Sequence, residues 1–573
     1  MFDMDWTPDA ETDNMLWHVA IQNAIEYSGR AAPGSVIGRV MSIRQDLRQH
    51  GKIISPIIGK KVALANKLAV DQGLDYLRSI LETEAPELLQ QREKQARRTG
   101  LPELANAEKG KVVLRFAPNP NGPLSFGHAR GIIINGEYAK EYDGELILRF
   151  DDTDTTVKPP LVEAYDLIQQ EAEWLLGFAP HRIIIASDRI EQYYSHVERM
   201  LEDGFGYVCK CSAEQFREFR VGMTDCPCRI YTVDENLEFW QQMLNGTFQP
   251  GEAVVRVRTD MTLKNPALRD WPALRIQDTK ANPHPRKTVQ SKYRVWPLLD
   301  FQSAVEDHLQ GVTHIIRGKD LMDSTRKQKL LYEHFGWNYP ETMYWGRVKV
   351  HEWGGFSTSQ MRKDIEAGLF EGWSDPRLPT IASLSGSGIQ ASALRNFWTE
   401  LGVTQKDIAV PLASLYSHNI KIIDDDAPRI AFIRDPVALT LVGVNETVVE
   451  IPTHPNTTNL GTRKIELRNP VVFVEREDLG HQKLRLKEFG DFDIEGNQAH
   501  FLARERTDKR KIIHWTSEDS SIDASLRRVI DGEVCSVEGK LEAHQLPVNT
   551  PVQIERIGYG IIAAHNAIVF THD

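Results

Sequence analysis

KVVLRFAPNPNGPLSFGHARGIIINGEYAKEY, residues 111–142, decides how the chain is read. It opens on a short apolar strand, KVVLRFA, and closes on a helical pattern, GHARGIIINGEYAKEY. Between them Pro118, Pro120 and Pro123 fix φ, while Gly122 and Gly127 let backbone approach a ligand. A loop so restricted is costly to fold and is expected to hold something. The helix behind it offers unpaired N–H groups and partial positive charge at its start, a natural phosphate site. His128 stands in its first turn, able to donate to a phosphate oxygen, and Arg115 leaves the strand towards the same cleft. Taken alone, His128 reads more simply as a core histidine; its neighbours change that.

Working outward, strands and helices alternate. GELILRFDD and HRIIIASD are strand patterns, and TVKPPLVEAYDLIQQEAEWLLGF and RIEQYYSHVERMLEDGF are helices. THIIRGKD and STRKQKLLYEHFGW repeat the pair further on. Such alternation predicts a parallel sheet with crossover helices, whose ligands sit beyond the carboxyl ends of the strands. The opening loop lies at such an end. The pattern is interrupted from Cys209 to about Lys287 by cysteines, prolines and a strand-like EAVVRVRTD. Residues 14–89 read as helices, and the charged, Gly/Pro-broken 90–111 as a linker or a helix ending in a hinge. A helical region spans about 374–417, and short β patterns with turn signals fill the chain after Asp426. The expected organisation is a multidomain chain. It comprises a helical domain (1–109), a Rossmann-like α/β domain (110–208 and 288–370), an inserted domain (209–287), a helical region (371–420) and an all-β double barrel (421–573).

The composition, 41% apolar and 26% charged, is that of a globular protein with a large core. The net charge of −12 argues against a generally basic nucleic-acid coat, though not against a local basic face. No stretch approaches the ~18 uninterrupted apolar residues of a membrane helix. The N-terminus, MFDMDWTPDAETDNM, lacks the apolar core of a signal peptide. Five cysteines in 573 residues point to a reducing compartment. The expected location is the cytoplasm.

Further chemistry converges on the same strand ends. RFDDTD (149–154) ends one strand with three carboxylates, IIRGKD (315–320) ends another, and GGFSTSQMRKD (354–364) adds a glycine-led loop with hydroxyls and positive charge. RFAPNPNGPLSFGH resembles the HIGH signature of class I aminoacyl-tRNA synthetases. FDDTD is similar to the companion motif of their glutamyl and glutaminyl branch, and FSTSQM resembles that branch's KMSKS loop. VWPLLDFQSAVEDHLQGVTHIIRGKD, EGWSDPRLPTIASL, DDDAPRIAFIRDPV and IERIGYG resemble archaeal glutamyl-tRNA synthetases. The resemblance covers at least residues 111–559.

It implies ATP, carried with Mg²⁺, and L-glutamate as substrates. It implies tRNA-Glu as partner, leaving tRNA-Gln open as a second acceptor, and a monomer away from membranes. By match to the motifs, His128 would bond the ATP phosphates, Ser125 would replace the first histidine, and Gly127 would leave room for the nucleotide. Pro118, Asn119, Pro120, Asn121 and Gly122 would shape the ATP loop. Arg115 and Arg317 would contact the glutamate, and Asp151 its ammonium. Asp320 and Leu321 would lie beside the adenosine, and Ser357, Thr358 and Ser359 would act from the KMSKS-like loop. The family's second lysine falls at Thr358 or Gln360, neither charged, so Arg362, Lys363 or the serines are left to serve. An ion pair of Arg115 or Arg317 with Asp151 or Asp152 is the structural alternative.

Cys209-x-Cys211 and Cys226-x-Cys228 form a four-thiolate set suited to a structural Zn²⁺; four reduced thiols are the alternative. Cys535 reads as a buried β residue. RTDKRKIIHW (506–515) is the strongest basic run for RNA contact. A glutaminyl-tRNA synthetase and a non-catalytic tRNA-binding paralogue are the rival readings.

Overall fold

The computed structural model describes residues 6–89, 100–354 and 357–573. Two compact units divide between Arg98 and Thr99. Of the expected linker, 90–99 lies outside the described residues. The first unit holds α1 (Ala10–Glu26), α2 (Pro33–Ile43), α3 (Gly51–Asp71) and α4 (Leu74–Glu84). Its core is built at helical spacing: Leu16, Val19 and Ala20 of α1 meet Val36 and Val40, Ile54, Ile58 and Val62, and Leu77 and Leu81.

The second unit begins earlier than the expected boundary after residue 109. Residues 102–105 are pinned to it, because Tyr138 Oη donates to the Pro102 carbonyl at 2.6 Å and the Leu104 N–H donates to Tyr142 Oη at 3.1 Å. Its first elements are β1 (Val113–Phe116), α5 (Phe126–Glu141), β2 (Glu145–Phe150), α6 (Val162–Leu176), β3 (Arg182–Ile185) and α7 (Ile190–Glu202). Strands β1, β2 and β3 pair in parallel. Helix α5 lies on this sheet through Ile132, Ile133 and Ile134, all fully buried, each contributing about 1.5–3 kcal/mol relative to exposure. Helix α6 stops at Gly177, whose φ of +77° is a left-handed cap few other residues would adopt without strain.

The interruption is a sheet of its own. It comprises β4 (Gly206–Cys209), α8 (Ala213–Gly222), α9 (Val233–Asn245), β5 (Val254–Val257), β6 (Pro272–Ile276) and β7 (Val295–Pro297). Its four strands are antiparallel in chain order. It therefore reaches past the expected 209–287 at both ends, since the outer strands are needed as pairing partners. The parallel pattern resumes with α10 (Leu299–Leu309), β8 (His314–Gly318), α11 (Met322–Phe335) and β9 (Glu341–Trp345). Strands β8 and β9 pair in parallel. The start of β8 lies beside that of β1, where the Thr313 N–H meets the Val113 carbonyl at 3.0 Å. The spatial order is thus β3-β2-β1-β8-β9, and the ends of β1, β2 and β8 face one cleft.

Past β10 (Val348–Val350) come α12 (Thr358–Glu366), α13 (Ile381–Gly386), α14 (Ala391–Leu401), β11 (Ile408–Val410) and α15 (Leu412–Ile423). The last region contains two seven-stranded sheets. Arg429–Ile430 pairs with Pro551–Ile554 and Phe432–Arg434 with Glu533–Glu542, so the region's start and end share one sheet. The edge strands of each sheet have a single neighbour, so the expected double barrel takes the form of two half-barrels. Cys535 is on a strand as expected but only half-buried, not fully. Among the described residues no helix is long and apolar enough to cross a membrane.

One half-buried carboxylate ties the signature loop to α6. Glu171 Oε2 accepts the Leu124 N–H at 2.6 Å. Burial pushes Glu171 up to about 7 against the pull of the Leu124 and Ala382 N–H groups. A carboxyl with a raised folded value binds more protons folded than unfolded between pH 4.5 and about 7, so its effect on stability is increasingly unfavourable as pH rises through that window. Glu171→Gln removes this titration while keeping an acceptor. At pH 8 the variant is expected to melt later than the unsubstituted protein, by an amount equivalent to about 1–3 kcal/mol. At pH 4.5 the gap closes. Equal melting at both pH values in differential scanning fluorimetry would contradict this.

Candidate functional site

A cavity of about 990 Å³ opens at the carboxyl ends of β1, β2 and β8, with a smaller one of about 190 Å³ sharing its wall. Ser125 is the N-cap of α5: the His128 N–H donates to Ser125 Oγ, and the Ser125 N–H donates to His128 Nδ1, both at 3.3 Å. Nδ1 is therefore an acceptor, and the ring's proton sits on Nε2. Desolvation, with the charge of Lys158 nearby, pushes His128 down to about 4, so at neutral pH it is a neutral donor. The Gly127 N–H has no partner among the described residues, and a Cβ on Gly127 would meet only Ser125 Oγ, at 3.8 Å.

The proline-rich loop is sewn to the loop after β2. The Asp151 N–H donates to the Pro118 carbonyl at 3.0 Å, and the Leu161 N–H to the Pro120 carbonyl at 2.8 Å. Asn119 Nδ2 reaches the Lys158 carbonyl at 3.4 Å. On its other side the loop meets α12: Asn121 Nδ2 donates to Ser359 Oγ at 3.3 Å. A Cβ on Gly122 would come within 2.6 Å of the Thr358 methyl and 3.0 Å of the Trp373 ring, so this approach needs glycine.

Pro118, Asn119, Asn121, Ser125, Gly127 and His128 line the larger cavity. So do Asp151, Asp320 and Leu321, and from α12 and its cap Ser357, Thr358 and Ser359. Pro120 and Gly122 are buried behind it. The glycine-led loop is largely helical, with Ser357 as N-cap of α12; Gly355 and Phe356 lie outside the described residues. Arg362 is paired with Glu366 at 2.9 Å, and neither it nor Lys363 lines the cavity.

Arg115, Arg317 and Asp151 line the smaller cavity, and Asp151 lines the larger one too. Their carboxylate partner is neither Asp151 nor Asp152, as the structural alternative expected, but Asp307 of α10. Asp307 lies 3.2 Å from Arg115 Nε and 3.9 Å from Arg317. Arg149 of β2 completes the cluster, 2.7 Å from Asp307 and 2.8 Å from Asp151. All five are buried. Burial opposes ionisation of Asp307, yet the three guanidiniums hold it below the usual carboxylate range. For Asp151 burial outweighs Arg149 and raises it. Asp307 Oδ2, Arg317 Nε and Gln302 Oε1 are buried without a hydrogen-bond partner among the described residues. Asp152 is a brace: it takes the Ser187 N–H at 2.8 Å and the Tyr165 hydroxyl at 2.6 Å.

Arg149, Asp307 and Gln302 were not singled out in the sequence. For Asp307 no local signal stands out: its helix, LDFQSAVEDHL, also carries Asp300, Gln302, Ser303, Glu306 and His308, so its acids look like an ordinary polar face.

Away from the cleft, the four cysteines of the insertion converge, their sulfurs all within 4.8 Å of one another. The Cys209–Cys226, Cys211–Cys226 and Cys211–Cys228 separations are each 3.7 Å. A tetrahedron with Zn–S bonds of about 2.3 Å has edges of about 3.8 Å, so the residues fit a zinc ion. In the β region the basic run is partly spent internally: Arg510 pairs with Asp493 and Lys511 with Asp478, and Trp515 is buried. Arg506 and Lys509 remain exposed.

Comparison with known proteins agrees with this geometry. Residues 111–425 match the family described as tRNA synthetases class I (E and Q), catalytic domain, and residues 427–504 its anticodon-binding domain. The glutamate–tRNA ligase of Methanothrix thermoacetophila is 44% identical over 520 residues, 88% of this chain and 89% of that protein. Those of Archaeoglobus fulgidus and Methanosarcina mazei are 42% and 41% identical, each over at least 96% of both chains. The chain belongs to the glutamyl and glutaminyl branch of the class I aminoacyl-tRNA synthetases.

Proposed function

We infer that this chain is a glutamate–tRNA ligase. It joins L-glutamate to the α-phosphate of ATP, releasing pyrophosphate, and passes the glutamyl group to the 3′ end of tRNA-Glu. The buried arginine cluster carries this reading. Three guanidiniums against Asp151 and Asp307 leave one positive charge, the complement of glutamate's net charge of −1. Glutamine, with no net charge, would leave that charge unpaired in a buried site.

In this proposal Arg115 and Arg317 grip the side-chain carboxylate, and Asp151 takes the α-ammonium, which favours its ionised form. The α-carboxylate then attacks the α-phosphorus in line. The neutral His128 donates through Nε2 to a phosphate oxygen, beside the Gly127 N–H and the positive end of α5. Loop 118–122 shapes the nucleotide site, and Asp320 and Leu321 flank the adenosine. Ser357, Thr358 and Ser359 bring hydroxyls from α12. ATP enters as its Mg²⁺ complex. The catalysis asked of the protein is alignment and charge stabilisation, with no covalent intermediate on the chain.

Aminoacylation assays pairing glutamate or glutamine with tRNA-Glu and tRNA-Gln test the assignment. Charging of tRNA-Glu by glutamate is expected, and the tRNA-Gln arm decides the second acceptor. Charging by glutamine alone would overturn the reading. Arg317→Gln is expected to lower kcat/KM for glutamate about 10²–10³-fold, with the KM for ATP little changed. An equal loss for both substrates would mean a collapsed site instead.

We also propose that Cys209, Cys211, Cys226 and Cys228 hold a structural Zn²⁺ that fixes the insertion. Elemental analysis is expected to find one zinc per chain. Cys226→Ser is expected to lose it and to lower the melting temperature. Metal-free protein with unchanged melting would remove the zinc.

A further inference from the structure

Activation expels pyrophosphate, and beside the Mg²⁺ that ATP carries, a cation of the cleft would stabilise the negative charge that accumulates on the β-phosphate. The expected source, the loop at α12, presents none: Ser357, Thr358, Ser359 and Met361 line the cavity from it. His128 is neutral. Arg130, though at the wall, spends its guanidinium on the Gly346 carbonyl at 2.8 Å and the Gly402 carbonyl at 3.0 Å. Arg275 turns to Asp154 at 3.7 Å and Thr156 at 3.4 Å. Lys319 is paired with Asp407. Two lining cations, Lys158 and Arg347, remain with neither an ion pair nor a side-chain hydrogen bond among the described residues.

Their positions differ. Arg347 belongs to the turn between β9 and β10. Lys158 belongs to the loop after β2, which is stitched to the proline-rich loop through Asn119 and Pro120. It is exposed and lines the cavity with Asn119, Gly127 and His128, and its charge acts on the His128 ring. It therefore stands at the same end of the cavity as the start of α5.

We propose that Lys158 is a catalytic residue of the activation step, its ammonium meeting the β- and γ-phosphates of ATP. As an oxygen of the glutamate α-carboxylate bonds to the α-phosphorus, the bond from that phosphorus to the bridging oxygen breaks. The electron pair stays on the departing pyrophosphate, where Lys158 takes up the charge. Lys158 thereby supplies from a stitched loop the cation that α12 does not bring to the cavity. This rests on the reading of the cleft as an ATP site, and the test separates it from the assignment of glutamate.

Binding of MgATP and of AMP to the full chain is measured by calorimetry for Lys158→Ala, Lys158→Arg, Arg362→Ala and the unsubstituted protein. Lys158→Ala is expected to bind MgATP about 10–100-fold more weakly and AMP within twofold of normal. Lys158→Arg should keep most of the affinity, and Arg362→Ala all of it. Glutamate-dependent ATP–pyrophosphate exchange with tRNA present should fall about 10²-fold in Lys158→Ala, with the KM for glutamate unchanged. MgATP binding within twofold of normal in Lys158→Ala would overturn the proposal, as would an equal loss of AMP binding. If the unsubstituted chain binds MgATP in this Lys158-dependent way but exchanges with another amino acid, the glutamate assignment fails and Lys158 keeps its role.

Discussion

The catalytic unit is organised around one fully buried carboxylate. Asp307 draws Arg115 from β1, Arg149 from β2 and Arg317 from β8 into one place. Burying that many charges is costly unless they pair, and the pairing requires three strand ends and one helix to hold a fixed relation. The same requirement leaves a surplus. Three guanidiniums share two carboxylates, Asp307 keeps an oxygen without a partner, and Arg317 keeps its Nε unpartnered. Replacing the cluster by apolar residues would be cheaper for folding and would erase the excess charge that a substrate can neutralise.

The proposed phosphate end is built differently. The donors around the start of α5 are polar but carry no formal charge: a neutral imidazole locked by Ser125, a backbone N–H and a helix start. A protonated His128 would lie close to the Lys158 ammonium in a desolvated setting, and both burial and that charge disfavour it. Holding the ring through Nδ1 fixes which nitrogen bears the proton, so its donor faces the cavity without a titration near neutral pH.

What could be read in the sequence follows from range. Strand–helix alternation and the proline–glycine loop are local, and every α/β element expected from them is present. The four cysteines were legible because a C-x-C pair needs only one matching pair to close a site. Asp307 was not, because its partners Arg115 and Arg149 lie 192 and 158 residues away, and the helix pattern around it is ordinary. The internal pairing of part of the run RTDKRK was hidden for the same reason. Its charges look exposed in sequence, yet Lys511 meets Asp478 of the turn Arg476–Gly480 and Arg510 meets Asp493. The limits of the insertion were misplaced because an antiparallel sheet recruits its edges from pairing, and β7 carries no composition signal that separates it from α10.

That insertion is also latched to the site. Gln277, just past β6, accepts the Thr155 hydroxyl at 2.7 Å and donates to the Thr153 carbonyl at 3.3 Å. His284 Nε2 lies 3.0 Å from the Asp152 carbonyl, and Arg286 pairs with Asp188 at 2.7 Å. The Gln277 and His284 contacts grip the loop after β2 from Asp152 to Thr155, next to Asp151 in the chain and a few residues before Lys158. The carboxylate between the two cavities and the lysine at the proposed phosphate end are therefore carried by a segment held from two sides, by the signature loop and by the cysteine-bearing insertion. A displacement of the insertion sheet cannot leave that segment's geometry untouched, because buried hydrogen bonds such as those of Gln277 and His284 would have to break without water to replace them.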